Sequence, residues 1–98
     1  MNVSKKLNGE ELVFEIEGNI DSTTAPNLYD EVNKSLDGIK SLVFDFAKVD
    51  YISSAGLRVL LAAYKIMSKQ GKVVIRNANS NVMDIFQITG FTNFLTIE

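Results

Sequence analysis

The chain has 98 residues, of which 46% are hydrophobic and 22% are charged, and its formal net charge is −2. This length suits a single domain over residues 1–98, and the composition argues for a folded chain rather than a disordered one. The near-neutral charge argues against nucleic acid as a partner, because phosphate binding needs clustered lysine and arginine. No signal peptide or bilayer-length apolar stretch is apparent, so we expect a cytoplasmic protein without membrane contact.

Cysteine and histidine are both absent. The chain therefore has no thiol nucleophile and lacks the commonest general base and metal ligand near neutral pH. The run "ISSAG" superficially resembles the nucleophile elbow of hydrolases, but that motif requires glycine where Ile52 stands. Paired acids such as Asp45 and Asp50 could suggest a Mg²⁺ site, but we interpret Asp45 as a strand residue and Asp50 as a turn or pre-helix residue. We predict no enzymatic activity, no metal site and no cofactor.

Strands and helices alternate in the first half of the chain. Alternating apolar residues predict a strand over 12–18, and the Asn-Gly turn before it predicts a hairpin with a short strand over 2–7. Pro26 suits the first turn of a helix. An apolar arc extends this amphipathic helix until about Gly38.

The same alternation continues in the second half. The segment 41–49 is apolar on both faces, as expected for a central strand. A largely buried helix follows over 54–69, then a strand over 71–78, a helix over 79–90 and a last strand in 94–98. The order β-β-α-β-α-β-α-β predicts a small α/β domain with parallel pairing across right-handed crossovers.

Two adjacent serines open the helix predicted over 54–69. On a helical wheel, Ser53 points toward the apolar side, which suits an N-cap. Ser54 falls beside the basic stripe, within reach of Arg58 four residues later. Gly56 removes bulk next to Ser54 and permits close approach of another backbone. A serine before a helix is most often only a cap, yet a helix N-terminus also favours a phosphate group.

Four stretches together resemble the bacterial anti-sigma factor antagonists, which carry the STAS domain. The similarity covers nearly the whole chain in order, and the serine stretch is its most specific part. It implies a mixed sheet of four or five strands packed with about four helices. The stretches are "GNIDSTTAPNL", "LVFDFAKVDYI", "DYISSAGLRVLL" and "ITGFTNFLTI".

This resemblance implies a partner-switching role. In such proteins the serine two residues before Gly-Leu is phosphorylated, which corresponds to Ser54 here, and the aspartate of the first motif corresponds to Asp21. The unphosphorylated form binds an anti-sigma factor that is also a serine kinase, and thereby frees the sigma factor. Phosphate from kinase-bound ATP ends the binding, and a metal-dependent serine phosphatase restores it. The implied partner-binding residues are Asp21, Ser53, Ser54, Gly56 and Arg58.

Two positions depart from the common pattern of this family. Ser53 stands where many relatives carry an aspartate, and Ala55 stands where a serine or threonine is frequent. The alternative function is a STAS scaffold or ligand-sensing module in a pathway that does not end in a sigma factor.

Overall fold

The structure is a computed structural model that describes residues 1–98. It confirms the α/β class and the order of elements, with a five-stranded mixed sheet. The implied count of about four helices is too high: beyond three α-helices, the chain forms only one turn of 3-10 helix, Phe91–Asn93. The elements are β1 (Asn2–Asn8), β2 (Glu11–Ile20), α1 (Ala25–Asn33), β3 (Ser41–Ile52), α2 (Ser54–Met67), β4 (Lys72–Arg76), α3 (Ser80–Thr89) and β5 (Thr96–Ile97).

The strands lie in the order β1-β2-β3-β4-β5, with an antiparallel hairpin at one edge and parallel pairs elsewhere. The predicted hairpin is confirmed, but Asn8 belongs to β1 and pairs with Glu11. The loop is therefore Gly9-Glu10, and only Gly9 has a positive φ, of 64°. Glycine at the first loop position is the requirement of a type II′ turn.

The hydrophobic core lies between one face of the sheet and the three helices. Alternate residues of β2 and β3 point into it, as the period of a strand requires. The Phe46 ring of β3 lies 6.2 Å from that of Phe86 in α3, measured between centroids. The core contains no buried polar or charged residue, and its fully buried phenylalanines are Phe14, Phe44, Phe46 and Phe86.

The central strand β3 is longer than predicted and extends past its neighbour β4. Pairing between the two strands ends at Asp45 and Arg76. The remaining residues, Phe46–Ile52, pair only with β2, and we call them the β3 extension. Asp50 lies within it rather than in a turn before the helix. The extension delivers the chain directly to the start of α2.

Edge strand β1 is tied to α1 by charged side chains. Lys5 donates a hydrogen bond to the Glu31 carboxylate at 2.8 Å, and Lys34 lies 3.0 Å from it. The hydrogen bond from Lys5, and after it the one from Lys34, holds the pKa of Glu31 below its usual value. A lowered pKa means that this contact stabilises the fold at neutral pH and loses its contribution as the pH falls through the carboxyl range.

No helix is both long enough and apolar enough to cross a bilayer.

Candidate functional site

The predicted site residues meet at one end of the sheet. Strands β2 and β3 are parallel, so the loops that follow them emerge at the same edge. Ile20 pairs with Ile52, and the Ser53 N–H donates to the Ile20 carbonyl oxygen at 2.8 Å. Asp21 and Ser53, which follow these paired residues, are therefore held in adjacent loops.

Ser53 is the N-cap of α2, as predicted. Its backbone is extended, with φ −92° and ψ 177°, and its side chain is half-buried. The hydroxyl oxygen accepts a long hydrogen bond of 3.5 Å from the Gly56 N–H. The Ser53 carbonyl accepts the first backbone hydrogen bond of the helix, from Leu57 at 2.9 Å. Ser53 thus satisfies groups at the helix start that would otherwise lack partners.

Ser54 is the first residue of α2 and is exposed to solvent. Its hydroxyl makes no hydrogen bond within the protein, in contrast to that of Ser53. The N-terminal end of a helix carries a partial positive charge, so added negative charge on this hydroxyl is favourable there. The structure therefore separates the two serines: one hydroxyl is engaged in the fold and the other is free.

Arg58 lies one turn after Ser54 on the same side of α2 and is also exposed. None of the five salt bridges in the protein involves it. Its guanidinium is available to an anion near Ser54 or to a partner's carboxylate. Arg58 also lines a shallow groove between α1 and α2, whose other lining residues are Ser22, Ala25, Pro26, Tyr29, Ala55 and Val59.

Gly56 is buried, so it does not offer a surface to a partner. The space that we expected beside Ser54 is filled by the chain itself. A Cβ at this position would lie 2.6 Å from Ile52 Cγ1, 2.7 Å from Ile20 Cγ2 and 3.1 Å from the Ile20 carbonyl oxygen. The approaching backbone is therefore that of β2, and Gly56 lets α2 sit close against the ends of β2 and β3.

The Asp21 carboxylate shapes the loop between β2 and α1. It accepts hydrogen bonds from the backbone N–H groups of Thr23 at 2.9 Å and Thr24 at 3.1 Å. Thr24 is the N-cap of α1, but its hydroxyl donates to the Asn19 carbonyl at 2.9 Å rather than capping the helix. An aspartate whose side chain accepts from the backbone N–H two residues later forms an Asx-turn, and such turns can be recognised from sequence. The predicted contact of Asp21 with a partner stays a prediction.

Tyr51 is a surface feature of this end of the sheet that the sequence analysis did not single out. It lies in the β3 extension, three residues before Ser54, and the residue is 49% exposed. Tyrosine is enriched in protein interfaces because it combines an apolar ring with a hydrogen-bonding hydroxyl. The alternation of side chains along a strand does not predict this exposure, because the irregular pairing with β2 interrupts the two-residue period of β3.

Comparison with known proteins identifies the family. The STAS domain family matches residues 2–98. BtrV of Bordetella bronchiseptica, which is named as an anti-sigma factor antagonist, is 35% identical over 88 residues, which cover 88% of this chain and 76% of BtrV.

Solved structures have the same fold. An anti-sigma factor antagonist from Mycobacterium paratuberculosis superposes with a TM-score of 0.89 at 23% identity, covering 98% of this chain and 83% of that one. The antagonist SpoIIAA superposes in its unphosphorylated form with a TM-score of 0.79 at 12% identity, covering 99% of this chain and 87% of that one. Its phosphorylated form gives 0.78 at 13% identity, with coverages of 99% and 91%. The chain belongs to the STAS domain family.

Proposed function

We propose that this protein is an anti-sigma factor antagonist whose binding is switched off by phosphorylation of Ser54. The observation that carries the proposal is the exposed, unbonded Ser54 hydroxyl at the start of α2, with the unpaired Arg58 one turn away. The similarity to BtrV, which is named as an anti-sigma factor antagonist, supports the antagonist part of the proposal. The protein acts on other proteins and has no catalytic residues of its own.

The partners in this proposal are two cytoplasmic enzymes. The unphosphorylated protein binds an anti-sigma factor that is also a serine kinase, and the sigma factor is released. The Ser54 oxygen then attacks the γ-phosphorus of the kinase-bound ATP, ADP leaves, and the hydroxyl proton passes to the kinase. A metal-dependent serine phosphatase hydrolyses the phosphoserine and restores binding.

The fold should tolerate the phosphate. A phosphoserine adds about −1.5 to −2 charges at neutral pH. The Ser54 side chain already faces solvent, so no charge is buried in the free protein. The helix dipole offsets part of the charge, by about 0.3–1 kcal/mol. The similar superposition with both forms of SpoIIAA supports a switch that requires no large rearrangement.

The interface with the anti-sigma kinase should not tolerate a phosphate on Ser54. A docked partner covers Ser54 and removes water from a dianion that no nearby group fully neutralises, at a cost of several kcal/mol. A loss of about 3–4 kcal/mol corresponds to a few-hundredfold weaker binding. The electrostatic cost at the interface therefore exceeds the effect on the fold, and binding is lost while the domain remains folded.

Phosphate transfer is the direct test. The wild type, Ser54→Ala and Ser53→Ala are incubated with ATP and the anti-sigma kinase of the same organism, and the intact masses are compared. We expect one added phosphate on the wild type and on Ser53→Ala, and none on Ser54→Ala. Phosphate retained by Ser54→Ala would refute the assignment. An unmodified wild type would favour the scaffold or ligand-sensing alternative.

Calorimetry tests the consequence for binding. We expect the phosphorylated protein to bind the kinase at least about a hundredfold more weakly than the unphosphorylated protein. Ser54→Ala should bind as the unphosphorylated wild type does, and Ser54→Asp should bind more weakly. Equal affinities for the phosphorylated and unphosphorylated proteins would overturn the electrostatic mechanism.

A further inference from the structure

Asn79, which lies between β4 and α3, reaches the chain segment that precedes the two serines. Its side-chain amide donates to the Val49 carbonyl oxygen at 3.1 Å and to the Asp50 carbonyl oxygen at 3.3 Å. We propose that Asn79 is a positioning residue, whose amide holds the β3 extension in place and so sets how Ser54 is presented to the kinase. The inference rests on the proposed function and adds a residue from a distant part of the chain to it.

Asn79 occupies a place where the sheet lacks a strand. Strand β4 ends at Arg76, so the β3 extension has no backbone neighbour on that side. Unpaired backbone carbonyls lose free energy unless another donor or water replaces the missing strand. The Asn79 amide supplies that donor for two consecutive carbonyls, those of Val49 and Asp50.

The two carbonyls lie at an irregularity of β3. On the other side of the extension, Gly18 pairs with Val49 and Ile20 pairs with Ile52. Two steps along β2 thus match three steps along β3, which is the pattern of a β-bulge. A bulge changes the direction of the residues that follow it. Here the next residues are the N-cap Ser53 and the exposed Ser54.

The same side chain also caps α3. The Asn79 side-chain oxygen accepts a hydrogen bond from the Val82 N–H at 2.8 Å. Its oxygen thus stabilises a helix while its nitrogen holds the β3 extension. These two roles can be separated chemically, because aspartate keeps the capping oxygen but has no N–H to donate.

The test variant is Asn79→Asp, and its matched control is Ser80→Asp. Both place a new carboxylate at the N-terminus of α3, but only the first removes the amide donor. With the anti-sigma kinase in excess ATP, we expect the kcat for phosphorylation of Asn79→Asp to fall about tenfold, since a small misplacement of a reacting group is costly. The melting temperature should stay within about 8 °C of that of Ser80→Asp, the shift expected for the loss of about one hydrogen bond. A kcat within twofold of the control would overturn the proposal.

Amide hydrogen exchange tests the same inference without any kinase. The Ser53 N–H donates to the Ile20 carbonyl at 2.8 Å, so its exchange reports on the anchoring of the site. In Asn79→Asp we expect this amide to exchange about five- to tenfold faster, which is roughly the effect of losing one hydrogen bond. The amides of α3 should keep their protection from exchange. Unchanged exchange at Ser53, or a loss spread over α3, would overturn the inference. A wild type that is not phosphorylated would instead refute the proposed function, and the exchange result would still decide the role of Asn79.

Discussion

The two ends of α2 differ in how the fold uses their polar side chains. Beyond the C-terminal end, the Gln70 side-chain amide donates to the carbonyls of Leu36 at 2.7 Å and Ile39 at 2.8 Å, so its N–H group is engaged in the fold. At the N-terminal end, Ser53 caps the helix but the neighbouring Ser54 hydroxyl has no partner. A polar group that the fold does not need is available for modification.

Both ends have a glycine at a point of close packing. Gly56 lies in the first turn of α2, and Gly71 lies in the turn that follows the helix. At Gly71 an added Cβ would overlap the Lys40 carbonyl oxygen. At Gly56 it would come within 2.7 Å of side-chain atoms of Ile52 and Ile20. At Gly71 the obstructing atoms belong to the backbone, whereas at Gly56 they belong mostly to side chains. We therefore expect a larger residue to be tolerated less well at Gly71 than at Gly56.

Gly71→Ala should have the largest effect on stability. The new methyl group meets a backbone carbonyl that cannot rotate away, and overpacking of this kind costs about 3 kcal/mol or somewhat more. Urea unfolding followed by circular dichroism measures the free energy of unfolding. If the free energy of unfolding fell by less than about 1 kcal/mol, the turn at Gly71 would be able to move aside. This result would contradict our expectation that substitution is tolerated less well at Gly71 than at Gly56.

Gly56→Ala should destabilise the protein less. Helix propensity favours alanine over glycine by about 1 kcal/mol, while overpacking against Ile52 and Ile20 costs about 1–3 kcal/mol. We expect a net loss of about 0–2 kcal/mol in urea unfolding, as the balance of these two effects. A more stable variant would mean that the two isoleucine side chains move aside easily and that close packing of α2 here is not needed.

Gln70→Ala should destabilise the protein at the C-terminal end of α2. Two carbonyls lose their donor in a half-buried position, and we expect a loss of about 1–2 kcal/mol. The control is Gln87→Ala, because Gln87 is exposed on α3 and its side chain makes no hydrogen bond. Urea unfolding of both variants should differ by most of that amount. Equal stabilities would indicate that water replaces the Gln70 amide without loss.

The smallest effects on stability are expected at the serines, where Ser53→Ala should lose more stability than Ser54→Ala. Ser53→Ala should lose about 0.5–1 kcal/mol, the lower part of the range for an N-cap, because its hydrogen bond is long. Ser54→Ala should change the free energy of unfolding by less than about 0.5 kcal/mol, as for other surface substitutions. A larger loss in Ser54→Ala than in Ser53→Ala would reverse the assignment of structural and free hydroxyls.

Local patterns predicted most of the elements but placed several ends wrongly. The helix expected over 54–69 ends at Met67, and the strand expected to end at residue 49 continues to Ile52. The extension of the strand is not a local property, since its hydrogen-bonding partners lie on β2, some 30 residues earlier in the chain. The hairpin pairing of β1 with β2 was predicted correctly because the two strands are adjacent in sequence.

The sequence by itself determined the class of fold, the amphipathic helices and the separation of the capping Ser53 from the exposed Ser54, because each depends on spacing within a few residues. Only the tertiary structure decided that Gly56 is buried against Ile20 and that Asn79 reaches Val49 across 30 positions of the chain. Such contacts depend on how strands and helices are registered against one another, and registration is set by packing over the whole domain rather than by any short stretch.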